Sequence, residues 1–144
     1  MVDSRALEES APAVGRAAPD FDAADLEGAS LSLREYRGRV VLLHFWVSGD
    51  ARGLPELRRV HALLHESGFD VIGISVDQRL EDLQGFLAKE PAVPWRPDAW
   101  KGALPRLYQV TSFPRSILVG KDGAIRALRV DPSSMQGEVE RALA

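Results

Sequence analysis

The 144-residue chain is 45% hydrophobic and 27% charged and contains no cysteine. A chain of this size can bury one ordinary core without disulfides or a structural metal. Eighteen basic residues against 21 acidic ones leave a net charge of −3, a balance that does not suit nucleic-acid or anionic-membrane binding, so no nucleic-acid partner is expected. No run approaches the roughly 18 apolar residues of a membrane span, so no membrane insertion by this chain is expected. The stretch from Met1 to Ala18 lacks the basic and apolar segments of a signal peptide.

Residues 1–14, rich in Ala, Ser, Pro and Glu, read as a flexible tether, and residues 15–144 as a single domain. Ala18-Pro19-Asp20-Phe21-Asp22 leads into a polar hairpin with a turn at Glu27-Gly28, and Leu31–Leu33 alternates as a short strand. The continuous apolar run Val40–Val47 suits a strand covered on both faces. A Gly-containing loop precedes a helix over Leu54–Ser67, whose Leu57, Val60, Leu64 and flanking Leu63 make one apolar stripe; Gly68 ends it. Phe69–Val76 is a second buried strand and Gln78–Glu90 a second helix, with Leu80, Leu83, Phe86 and Leu87 on one side. Pro91, Pro94 and Pro97 forbid regular structure for several residues. Leu104–Tyr108 could form a short helix. Ser116–Val119 and Ala124–Leu128 read as an antiparallel hairpin about the turn Lys121-Asp122-Gly123, and Ser133–Leu143 as a closing helix. The order implies an α/β fold: a mixed central sheet flanked by helices, with an N-terminal β-hairpin extension.

Four stretches then carry a resemblance. They are Gly15–Phe21 (GRAAPDF), Leu33–Leu42 (LREYRGRVVL), Val71–Asp77 (VIGISVD), and Val110–Val119 (VTSFPRSILV) followed by Lys121-Asp122-Gly123. Together they resemble the thioredoxin-like superfamily, in its branch of TlpA-like thiol–disulfide oxidoreductases and AhpC/TSA-related redoxins. The resemblance implies a thioredoxin-like three-layer sandwich and a cis proline at Pro114, in a loop facing the active site. It also allows an extracytoplasmic bacterial setting, although the residues leave the compartment open.

After the central strand the family reads FWATWCxxCRxE. Here Phe45, Trp46 and Glu56 match in register, which places Asp50 at the attacking cysteine and Gly53 at the resolving one; Gly49 replaces a tryptophan. Thiol–disulfide exchange needs an attacking and a resolving thiol, and peroxidase chemistry a thiolate that becomes a sulfenic acid. Asp50 supplies neither, so no catalytic residue is assigned and no cofactor is expected. Asp50 can be an N-cap of the helix that follows, or that helix can start nearer Gly53, with Ser48–Arg52 as an open loop, since Pro55 would disturb an earlier start. If the family backbone is kept, Asp50→Cys with Gly53→Cys should form a disulfide.

Phe113, preceding the proline, can be an occluding or docking ring or a core residue. Trp46, Ser48, Gly49, Asp50, Arg52, Phe113 and Pro114 are therefore the candidate surface for a protein or peptide partner. His61 and His65, four apart on a helix, are weak metal candidates with no third ligand nearby; His44 reads as a hydrogen-bonded core histidine. Ser48 has no visible Asp–His partners and is not expected to be a nucleophile. Trp95 and Trp100 can be a core lid or a partner-facing patch. Three functions stay open: a redox-inactive binding module, an oxidoreductase-family protein working through partner or substrate thiols, and a binder of small thiols such as glutathione.

Overall fold

The computed structural model describes residues 11–90, 98–100 and 102–144. The first ten residues of the expected tether, the prolines at 91, 94 and 97, and Trp95 lie outside them.

Strands β1 (Asp22–Ala24) and β2 (Ser30–Ser32) form the N-terminal antiparallel hairpin. Its turn is tied by the Asp25 carboxylate, which accepts the N–H groups of Glu27 and Ala29 at 2.9 Å each. β2 lies one residue earlier than the alternation suggests, because Leu33 already opens a 3-10 turn over Leu33–Tyr36. Glu35 accepts the Ser32 N–H at 3.0 Å and so satisfies a donor at the start of that turn.

The main sheet has the order β5-β4-β3-β6-β7. Its strands are β3 (Val40–Trp46), β4 (Phe69–Ser75), β5 (Asp98–Trp100), β6 (Arg115–Val119) and β7 (Ile125–Ala127). β3 runs parallel to β4 and antiparallel to β6, which makes it central and explains its unbroken apolar run. β6 and β7 form the expected hairpin, with Gly123 in the left-handed region that the turn requires. β5 is absent from the sequence reading: its three residues carry no periodicity, and only their pairing with Gly73–Ser75 makes them a strand.

Alternation along β3 splits the core in two. Val41, Leu43 and Phe45 join Ile72, Ile74 and Ile117 on one face. That face is covered by the N-terminal hairpin and by the short helix α3 (Leu104–Leu107), after which the Tyr108 hydroxyl donates to the Pro19 carbonyl. Val40, Leu42 and Trp46 point the other way, against α1 (Leu54–Leu64), α2 (Leu80–Lys89) and α4 (Pro132–Leu143). The last turn of the first long helix, His65–Ser67, is 3-10, and Gly68 closes it with φ +111°. One expected stripe residue is misplaced. Leu63 is 54% exposed, and Leu54 is buried instead beside Leu57 and Val60. Successive helical residues are about 100° apart, so Leu63 falls outside the arc that Leu57, Val60 and Leu64 share.

Candidate functional site

The site lies where β3 ends and the chain must turn back into α1. Two tight turns make the reversal: the Asp50 N–H donates to the Val47 carbonyl and the Leu54 N–H to the Ala51 carbonyl, each at 3.1 Å. The N-cap of α1 is Gly53, with φ +83° and ψ −10°, not Asp50. Asp50 sits three residues too early to cap; its carboxylate instead grips the Arg52 guanidinium, with Nε at 2.8 Å and Nη2 at 2.7 Å, and accepts the Arg52 backbone N–H at 3.3 Å. The Arg52 hydrogen bonds hold the Asp50 carboxyl below its usual pKa. Of the two expected starts, the one near Gly53 is found, and Pro55 then falls in the first turn, where a missing N–H costs nothing.

Gly53 is required by the backbone. Its φ is in the left-handed region, and a Cβ there would stand 3.1 Å from Pro132 Cγ at the start of α4. The expectation that a cysteine pair at 50 and 53 would inherit the family geometry is therefore not supported. A cysteine at 53 would be strained by its own backbone and crowded by Pro132.

Ser48 is an anchor. Its N–H and hydroxyl donate to Asp77 Oδ1 at 3.0 and 2.8 Å. Asp77, 6% exposed at the end of β4, also accepts the Ser75 hydroxyl at 2.5 Å, and its carbonyl accepts Trp100 Nε1–H at 3.0 Å. This buried carboxylate ties the altered loop to the neighbouring strand, and sequence reasoning missed its role. The available signal was an acid ending the apolar run VIGISV. Trp100 is thereby engaged inward, while its expected companion Trp95 lies outside the described residues. Trp46, expected on the binding surface, is 1% exposed and packs edge-to-face on Phe86 with ring centroids 5.2 Å apart. It supports the site from beneath, because even-numbered β3 residues face the helices.

The Phe113–Pro114 peptide bond is cis. Phe113 is half-buried against the core yet also lines two depressions, so both of its expected roles have a basis. The first depression, about 370 Å³, lies between the proline loop and the N-termini of α1 and α4, walled by Arg52, Gly53, Pro114 and Met135. His44 also lines this groove; it is buried, paired through Nδ1 with the Ser116 hydroxyl at 2.9 Å, and burial lowers its pKa to about 4. At neutral pH it is an uncharged core histidine, as the sequence suggests. The second, broader depression, about 780 Å³, runs along the loop at Ser48-Gly49 to Asp77 and Phe86.

His61 and His65 do meet, but as stacked rings 4.6 Å apart, and His65 Nδ1 is engaged with the Phe69 carbonyl at 3.1 Å. Among the described residues, no group of three or more His, Cys, Asp or Glu side chains could hold a metal ion. None of the described helices is long and apolar enough to cross a membrane.

Known proteins resemble this chain in sequence and in fold. ResA, a thiol–disulfide oxidoreductase of Geobacillus thermodenitrificans, is 29% identical over 128 residues, covering 84% of this chain and 71% of its own length. ResA of Geobacillus kaustophilus is 27% identical over 143 residues, covering 94% and 79%. Among solved structures, the thioredoxin domain of a thiol–disulfide oxidoreductase from Bacteroides vulgatus superposes with a TM-score of 0.80 at 26% identity, covering 92% of this chain and 99% of that one. A thiol:disulfide interchange protein from a Bacteroides species gives 0.77 at 28% identity, covering 90% of each. The fold is thioredoxin-like, as the motifs imply. The AhpC/TSA family model matches residues 14–128, four-fifths of the sequence, and the chain belongs to the AhpC/TSA family, as a member without cysteine.

Proposed function

We propose that this chain is a binding module that uses the former active-site face to hold a protein or peptide and performs no thiol chemistry of its own. The observation that carries the reading is a contrast within one face. The cis-proline loop still opens onto a groove, while the position of the attacking thiol holds an aspartate locked to Arg52. A carboxylate does not attack disulfide sulfur, and the chain offers no thiol to resolve a mixed disulfide. Fold and chemistry are separable in this way because the site is grafted on a scaffold that does not depend on it.

The test is an array of immobilised peptides probed with the wild-type protein and with Phe113→Asp. Wild type should retain a subset of peptides that the variant releases. Identical retention by both, or none by either, would overturn the reading. Insulin reduction and peroxide consumption by the pure protein should run at background rates.

A second reading is favoured by the relatives, which are thiol–disulfide oxidoreductases. In it the cleft holds one partner's disulfide while a second partner's thiolate attacks it, so that every exchanged sulfur comes from outside the chain. Acceleration of exchange between two cysteine-bearing peptides by added protein would favour this reading over simple binding.

A further inference from the structure

Phe113 stands between two grooves of opposite sign. On the proline side, Arg52 is already neutralised by Asp50, which leaves Arg115 and Arg129 facing Asp131. Among the described residues, neither Arg115 nor Arg129 is in an ion pair. Arg115 is held in place by its Nε–H bond to the Leu128 carbonyl at 3.1 Å. Burial, and secondarily the charge of Arg129, lower its pKa; two like charges are held near each other without an acid bridging them. On the other side of Phe113 the groove is lined by Asp77, Glu81 and Asp82 against Lys89. Asp77 is held by the Ser48 and Ser75 hydroxyls, whereas Glu81 and Asp82 are exposed at the start of α2. Glu81 makes one ion pair, to Arg79 at 3.5 Å, which is longer than the Asp50–Arg52 pair and joins two exposed side chains, so a peptide cation can displace it.

A small anion would satisfy only one of these grooves, and a uniformly charged chain would be repelled by the other. An extended peptide advances about 3.3 Å per residue, so a few residues can present side chains of different sign to both. We propose that this face selects an extended peptide of one charge polarity: an acidic side chain over Arg115 and Arg129, an apolar residue on Phe113, and a basic side chain over Glu81 and Asp82. The proposal rests on the docking reading above and adds the partner's chemistry and orientation. The chain's overall charge of −3 makes the local cationic groove a departure from the rest of the molecule, as steering of an acidic segment requires.

The experiment uses fluorescein-labelled decapeptides with a central leucine in a Gly/Ser background. Glutamates lie on one side and lysines on the other, in both orders, with all-Glu, all-Lys and all-Ser controls, and binding is read by fluorescence anisotropy. One mixed order should bind about tenfold tighter than the reverse, the effect of two partly exposed ion pairs gained against two lost, and added salt should shrink the difference. The double charge swap Arg129→Glu with Glu81→Lys, both at exposed positions, should invert the preference. Equal binding of the two orders, or a preference that survives the swap, would overturn the polarity. If binding is also lost in Phe113→Ala in that case, the docking reading stands without it. If no peptide binds at all, both fail. Self-association of the wild type that Arg129→Glu abolishes would assign the face to a second copy of the chain and overturn the proposal.

Discussion

Strand β3 and the loop that follows it are consecutive in sequence and opposite in construction. All seven residues of β3 are buried, paired on both edges and packed on both faces. The loop from Val47 to Gly53 exposes Gly49, Ala51 and Arg52, and is held by two turns, one ion pair and the carboxylate of Asp77. The difference separates what holds the fold from what fills the candidate site. Apolar burial at about 1.5–3 kcal/mol per large side chain lies in the strand, whereas the positions that the motif match assigns to thiols, Asp50 and Gly53, lie in a segment that contributes little to the core. Asp50 and Gly53 belong to neither half of the core.

The comparison can be broken or sharpened by a graded set of substitutions. The largest effect is expected within the strand: Phe45→Ala should cost about 3–5 kcal/mol in urea unfolding, since it empties a fully buried site between Tyr108 and the sheet. A cost below about 1 kcal/mol would mean that the strand does not carry the fold.

Next comes His44, the strand residue that lines the groove. The unfolded histidine takes up a proton below its ordinary pKa of 6.5, but the buried one only near 4. The unfolded state therefore binds more protons in this window. Stability falls as pH drops from about 6.5 to 4, by about 3 kcal/mol, and this contribution loses nothing further below 4. Urea midpoints of wild type and His44→Leu across that range should diverge accordingly; parallel curves would remove His44 as the cause.

Asp77→Ala tests the anchor between the two regions. It strands the donors of Ser48 and Ser75, and should cost about 2 kcal/mol while raising hydrogen exchange at Ser48 more than in β3. Gly53→Ala should cost about 1–2 kcal/mol, because a left-handed residue acquires a Cβ against Pro132. For the same reason Asp50→Cys with Gly53→Cys should keep free thiols under mild oxidation, by thiol titration; ready disulfide formation would show that the loop retains the family geometry. Asp50→Ala, which breaks an ion pair with an exposed arginine, should leave the urea midpoint unchanged.

Much of the scaffold is legible in the amino-acid sequence, and for a physical reason. A strand buried on both faces writes itself as Val40–Trp46, an amphipathic helix repeats its apolar residues, and Lys121-Asp122-Gly123 supplies the φ > 0 that a hairpin turn demands. The address of the altered site at Asp50 and Gly53, and the cis bond at Pro114, come from matching motifs, since neither periodicity nor spacing encodes them. Leu63 and β5 show the limit on the fold side: one lies just off a buried arc, and the other exists only through its neighbour.

At the candidate site, tertiary structure decided where nearly every side chain stands. The sequence alone determined that the chain supplies no cysteine thiol, because composition is indifferent to folding. It could not show that Ser48 and Asp77 would meet across 29 positions, that Trp46 would face inward, that Pro132 would crowd Gly53, or that Phe113 would line two grooves at once. Those facts depend on side chains from β4, β6, α2 and α4 converging at one end of the sheet, and local sequence carries no record of what a long-range crossover brings alongside it.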